Sequence, residues 1–142
     1  MEIQKMKRRL MGLSLGLALV AMVAACSSGS SSGLTGKAWQ WSSGTEPGTP
    51  MPGVVPDPTS YTATFNTDGS INVKADCNVS NGTYTSTSTA LTITLGATTL
   101  VACGSASLST VFLAALPKAA SYAINSGALV ITLSDGGTMT FK

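Results

Sequence analysis

Whatever chemistry this chain performs, it performs without histidine. None of its 142 residues is His, so triads and metal sites built on imidazole are excluded. The reactive inventory is three cysteines (Cys26, Cys77 and Cys103), six acids, and two tryptophans at alternate positions, Trp39 and Trp41. A nucleophilic or redox cysteine needs a lowered thiol pKa or a nearby resolving thiol. Here no CxxC pair occurs and no imidazole can activate a thiol. Asp68 and Asp135 stand in Asp-Gly turns. Asp76 has no turn to explain it and is a candidate binding residue, yet no second carboxylate stands near it in sequence for general acid–base work. If Ala38–Ser42 is extended, Trp39 and Trp41 share a face. The expected arrangement is one indole in the core and one at the rim, with Trp41 the candidate for stacking on a sugar. The expectation is therefore a protein that is not an enzyme and takes no metal or cofactor.

Cys26 belongs to a different pattern. Lys5, Lys7, Arg8 and Arg9 precede an uncharged apolar run from Leu10 to Ala25. That run is shorter than the roughly 20 residues a spanning helix needs, and it ends in small residues, as a secretory signal does. The end itself, Val23-Ala24-Ala25-Cys26, resembles the lipobox of bacterial lipoproteins. The resemblance implies removal of residues 1–25, a diacylglycerol thioether on the Cys26 thiol, and a further acyl chain such as palmitate on the freed amine. The Ser/Gly-rich residues that follow would make 26–33 a flexible tether and leave 34–142 as the folded domain.

The split at Cys26 changes the meaning of the net charge. The whole chain carries +2, but residues 1–25 hold four basic side chains and one acid. The remainder holds four lysines and five acids, a balance of −1. No basic cluster remains to bind phosphates, so nucleic acid is not an expected partner. Export would also put Cys77 and Cys103 where disulfides persist. A structural bridge is expected, and two buried free thiols are the alternative.

The domain reads as short strands and tight turns. Period-two alternation marks Tyr61–Phe65, Ser70–Ala75 and Leu91–Leu95, and the Asp68-Gly69 turn joins the first two. Asn81-Gly82 is expected to turn into Thr83–Thr85. Asn125-Ser126-Gly127 and Asp135-Gly136-Gly137 are expected as three-residue hairpin loops around Ala128–Leu133. Asn78 and Asn81 formally match glycosylation acceptors, but turn chemistry is the preferred reading. The alternating threonines (62 and 64; 83, 85, 87 and 89; 92 and 94) are expected to face solvent, although such rows could bind a polymer or ice. Five of the six prolines fall in 43–59, which reads as a loop. Over 105–116, Leu108, Val111, Phe112, Ala115 and Leu116 follow the helical period, with Ser105 or Ser107 as cap and Pro117 as stop.

In order, these pieces resemble the META domain, or HslJ-like, family of bacterial envelope proteins. The match is carried by Leu34-x-Gly36-x-x-Trp39, by Tyr61–Phe65 with Asp68-Gly69, and by Cys77-Asn78 with Gly82 and Tyr84. It continues through Thr99-x-x-x-Cys103, the helix and Gly137-x-x-x-Phe141. Two features depart from the family pattern. Ala75 and Asp76 stand where small glycines usually precede the Cys-Asn pair, and Ser109 and Thr110 stand where an acid is usual. The resemblance implies a mainly β domain: a small antiparallel barrel or strongly curved sheet with one helix. It also implies an association with envelope stress and secretion. The expected protein is monomeric and lipid-anchored. It would lie in the outer membrane of a Gram-negative cell, or otherwise on the outer face of the cell membrane, and meet an envelope or extracellular protein or glycan. The alternative expectation is a protease inhibitor acting through the Pro-rich loop 43–59.

Overall fold

The computed structural model describes residues 33–48 and 50–142. The expected signal segment, Cys26 and the tether up to Ser32 lie outside the described residues. Eight strands form one antiparallel sheet: β1 (Ala38–Thr45), β2 (Tyr61–Phe65), β3 (Ser70–Ala75), β4 (Asn78–Ser86), β5 (Leu91–Thr98), β6 (Ala119–Asn125), β7 (Ala128–Leu133) and β8 (Thr138–Phe141). Their order is β5-β4-β3-β2-β1-β8-β7-β6. Among the described residues there is one α-helix, α1 (Ser109–Ala115), which leads into a 3-10 turn at Leu116–Lys118.

Alternation explains the curl. In β2 every odd position is buried and every even one half-exposed, and β3 repeats this across the register Phe65↔Ile71 and Ala63↔Val73. One face of the sheet must therefore be covered, and the sheet covers it by rolling on itself. Its two edge strands meet at one point: Ala90 bridges Ser121, and the Tyr122 N–H donates to the Thr89 carbonyl at 2.8 Å. The result is a strongly curled half-barrel. Its interior is filled by aromatic rings, including Trp39, Trp41, Phe65, Phe112 and Phe141, each at most 1% exposed. Phe112 carries the helix into this core, stacking on Trp41 at 5.1 Å and meeting Tyr61 edge-on at 5.7 Å.

Several local expectations are corrected. The helix starts at Ser109 rather than near residue 105, because the residues before it are held from outside the helix. The Leu108 N–H donates to the Tyr61 hydroxyl at 2.9 Å, and the Ser107 N–H to the Gly104 carbonyl at 2.9 Å. Ser107 still serves the start, its hydroxyl accepting from the Ser109 N–H at 3.2 Å. Asn81-Gly82 is no turn but the middle of β4, beside a register shift between Ser80 and Gly82. The hairpin turn before β4 is instead Asp76-Cys77, closed by the pair Ala75↔Asn78. The loop at 125–127 is shorter than expected, with Ser126 and Gly127 at positive φ between the paired Asn125 and Ala128. The Pro-rich stretch is not free at its ends. Ser43–Thr45 belong to β1 and pair with β8, the Val55 N–H donates to the Ser42 carbonyl, and Val55 is buried. Asp57 caps a 3-10 turn at Pro58–Ser60.

Candidate functional site

The chemistry-bearing residues gather at the end of the half-barrel that α1 covers. Cys77, in the β3–β4 turn, and Cys103, before the helix, form a disulfide with a Cα–Cα distance of 5.8 Å. Between β5 and Cys103 the chain runs as a strap, residues 99–103. Asn78, 5% exposed, lies beneath it. Its Oδ1 accepts from the Val101 N–H at 2.7 Å and the Thr99 hydroxyl at 3.0 Å. Its Nδ2 donates to the Val101 carbonyl at 3.0 Å, to the Ser109 hydroxyl at 3.2 Å, and towards Cys103 Sγ at 3.3 Å. Asn78 is thus a buried junction of turn, strap and helix rather than a turn residue. Such a site satisfies both ends of the amide, which a buried Asn requires.

The strap is pinned at its other end as well. The Thr99 N–H donates to the Val79 carbonyl at 3.0 Å, and the Val79 N–H to the Thr99 hydroxyl at 3.0 Å. Held this way, it turns its side chains outward: Leu100 is 91% exposed and Val101 58%. Leu100 and Val101 were not among the residues the sequence marked as functional. The only signal was their place inside Thr99-x-x-x-Cys103. A groove of about 560 Å³ runs beside them, between Leu95, Thr98 and the strap on one side and Thr110, Leu113, Ala114 and Pro117 on the other. No charged side chain lines it.

A second, smaller groove of about 300 Å³ lies by Asp57, Ser60, Tyr61, Asp76 and the 104–108 turn. Its acids are explained locally. Hydrogen bonds from the Thr59 and Ser60 hydroxyls hold the Asp57 carboxyl below the ordinary aspartate range, because they favour the charged form. Asp76 has a turn role after all: it sits at φ 60, and its N–H donates to the Ser60 carbonyl at 2.7 Å. A backbone that usually calls for Gly is here occupied by Asp, which tolerates the left-handed region better than most residues. Among the described residues, no group of three or more acids and cysteines is arranged to hold a metal ion.

The tryptophans offer no platform. Trp39 and Trp41 are both core, so the expected rim position of Trp41 is corrected. The indole N–H groups are satisfied inside, Trp39 donating to the Leu34 carbonyl at 2.7 Å and Trp41 to the Ser43 carbonyl at 2.9 Å. Gly82 and Tyr84 are likewise structural. A Cβ on Gly82 would overlap the Thr94 carbonyl oxygen, and the Tyr84 hydroxyl donates to the Asn66 carbonyl at 2.7 Å. The threonines of the β4–β5 hairpin pair as Thr83↔Thr94 and Thr85↔Thr92 on the exposed face, while the Thr87 hydroxyl accepts from the turn amides of Thr89 and Ala90.

The two ends of the domain differ in what meets them. Gly33 lies beside Ile124, and Lys37 Nζ reaches the Gly127 carbonyl at 3.5 Å, so the chain enters at the β6–β7 hairpin. The strap and groove lie at the other end, beyond the seven residues of β6. That strand alone spans about 20 Å.

Fold and site together define a class: a curled antiparallel half-barrel, closed by one helix and a disulfide-tied strap. The META domain family model matches residues 32–142, and the chain belongs to that family. Two solved structures share the fold. One is a protein from Burkholderia xenovorans solved by NMR, with TM-score 0.59, 22% identity, and coverage of 77% of this chain and 82% of that one. The other is a DUF4847 family protein from Bacteroides vulgatus, with TM-score 0.58, 15% identity, and coverage of 76% of this chain and 92% of that one. No curated protein matches the chain.

Proposed function

We propose that this protein is a lipid-anchored, non-catalytic binding protein of the bacterial cell envelope. It would be tethered through Cys26 and would serve envelope integrity or an extracellular partner under stress. The observation that carries the reading is the exposed, uncharged apolar strap and groove around Leu100 and Val101, at the end away from the chain's entry point. A surface of that kind on a domain with a filled interior suits contact with another molecule better than turnover of a substrate. The lipobox-like Val23–Cys26 supports the anchor, and the disulfide suits an oxidising compartment. The anchor is tested by the intact mass of the protein purified from its native membrane. The expected result is loss of residues 1–25 with added diacylglycerol and acyl mass. An unmodified Cys26 after export defeats it.

Protease inhibition through the loop 43–59 is a second reading. Its support is Val54, 75% exposed at a tip held by backbone bonds from Gly44 to Pro52 and from Val55 to Ser42. A panel of serine and cysteine proteases decides it. Inhibition lost on substituting Val54 supports it, and absence of inhibition removes it.

A further inference from the structure

We infer that the strap is a docking strand: an extended, uncharged, apolar segment of a partner polypeptide pairs with its outer edge and lays alternate side chains in the adjoining groove. The inference rests on the reading of the protein as an envelope binding protein and names the chemistry of its partner.

The strap behaves as one more length of sheet edge. It continues β5 along β4, since Ser80 pairs with Thr98 and the next bonds join Val79 to Thr99. Its peptide groups alternate as those of an edge strand do. Thr99 points its N–H inward to the Val79 carbonyl, and Val101 points both its N–H and its C=O inward to the Asn78 amide, which takes the place of a strand's own N–H and C=O. The peptide groups of Leu100 and Ala102, between and beyond them, have no partner among the described residues. An edge of this kind is a template for another strand unless charge, proline or a covering element blunts it. Residues 91–103 contain no charge and no proline.

The site is also held ready. The disulfide fixes one end, the Val79–Thr99 pair the other and Asn78 the middle, so little conformational entropy is left to lose on binding. Main-chain bonds along such an edge supply affinity, and the groove selects the side chains. The groove here falls within the size of ordinary ligand sites, about 300–1,000 Å³. Leu95, Leu100, Leu113 and Pro117 give it apolar walls, and a charged side chain entering it would be desolvated with no counter-charge among the lining residues. The described chain begins at Gly33, beside the β6–β7 hairpin and at the end of the domain away from the strap.

The test is a titration of the full-length, isotope-labelled protein in nanodiscs with a short acetylated peptide of alternating valine and serine. Two control peptides go with it: one with the valines replaced by lysines, and one N-methylated at alternate positions so that one edge cannot donate. The expected result is movement of the Leu100, Ala102, Leu113 and Ala114 amide signals, with binding weakened about tenfold by N-methylation or by Leu100→Pro, which deletes a strap N–H. Leu100→Lys, at an exposed position, should weaken it without risk to the fold, and an unchanged Trp39 indole signal certifies both variants. Three results overturn the inference: no movement of those amides, equal binding of the lysine or N-methylated peptide, or strap shifts that follow protein concentration alone and so assign the edge to a second copy. The mass of Cys26 is read on the same sample. An unmodified Cys26 with strap binding intact defeats the anchor and not the docking strand.

Discussion

The side chain of Asn78 closes on the backbone of Val101 from both sides, accepting from its N–H at 2.7 Å and donating to its carbonyl at 3.0 Å. This one amide substitutes for a missing stretch of β-ladder. Asn78→Ala would leave the Val101 peptide group and the Ser109 hydroxyl without their partner, and the Thr99 hydroxyl without its acceptor. The expected cost is about 2–3 kcal/mol, within the range for a buried network broken on one side. Asn78→Asp should cost a similar amount, because it keeps the shape but turns a donor towards the Val101 carbonyl into an acceptor. Denaturant unfolding under non-reducing conditions measures both, and hydrogen exchange should show the strap amides losing protection first.

The disulfide lies on the same junction but acts through a different state. It closes a separation of 26 residues. In the chain-entropy account a loop of this size stabilises by about 3–4 kcal/mol, by restricting the unfolded chain. The paired substitution of Cys77 and Cys103 by Ser should lower stability by that order while leaving the far-ultraviolet spectrum unchanged. Combined with Asn78→Ala, the losses should not add, since Asn78 Nδ2 lies 3.3 Å from Cys103 Sγ and both hold the strap. Strict additivity in that cycle would show that the two devices act separately.

Asp76 occupies a left-handed position, φ 60, in the two-residue turn that sets the Cys77–Asn78 pair. Asp76→Gly should therefore stabilise the protein, by up to about 1 kcal/mol once the entropy of the added Gly is set against the relieved backbone. The N–H bond to the Ser60 carbonyl uses only backbone and is kept. A thermal unfolding midpoint that falls on this substitution would mean that the carboxylate itself has a structural or binding duty.

These residues mark where the sequence was legible and where it was not. The alternation of Tyr61–Phe65, Ser70–Ala75 and Leu91–Leu95 exposed the sheet, because a face buried on one side writes itself at period two. The apolar spacing of Phe112, Ala115 and Leu116 exposed the helix for the same reason. Asn81-Gly82 misled because a turn and a close strand approach both call for a residue without bulk, and only the position of Thr94 across the ladder distinguishes them. The strap was invisible for a related reason. Leu100 and Val101 look like core residues in a linear reading, and their exposure follows from Asn78 holding the backbone from beneath, a contact across more than twenty positions. Trp41 was misplaced because Phe112 of α1 stacks on it, a contact that no local pattern near residue 41 announces.

Gly82 itself yields a sharp expectation. A Cβ there would overlap the Thr94 carbonyl oxygen and approach the Leu95 Cα to 2.9 Å. Both obstacles are backbone, so β5 would have to move away from β4. Gly82→Ala should destabilise by about 1–3 kcal/mol, the usual range for overpacking. The β4–β5 amides should carry the largest chemical-shift changes. Asn81→Ala, one position earlier on the exposed face, loses only the bond accepted from Asn72 and should lie near neutral.

Tyr84 links stability to alkaline pH. Burial raises its phenol above the ordinary value of 10.0, and its hydroxyl donates to the Asn66 carbonyl at 2.7 Å while its ring meets Phe65 edge-on at 4.9 Å. Only the protonated phenol can make that bond, so the folded state holds the proton more tightly than the unfolded chain does. The stabilisation is therefore fully present below the unfolded pKa and is lost as pH rises through the higher folded one. Stability should fall above about pH 10 with Tyr84 as a contributor. Tyr84→Phe should lower stability at neutral pH by about 1 kcal/mol, the worth of one hydrogen bond, and should remove that part of the alkaline loss. Chemical unfolding of both proteins across the alkaline range measures the difference between the two slopes. An unchanged slope in the variant would show that Tyr84 does not contribute to the alkaline loss.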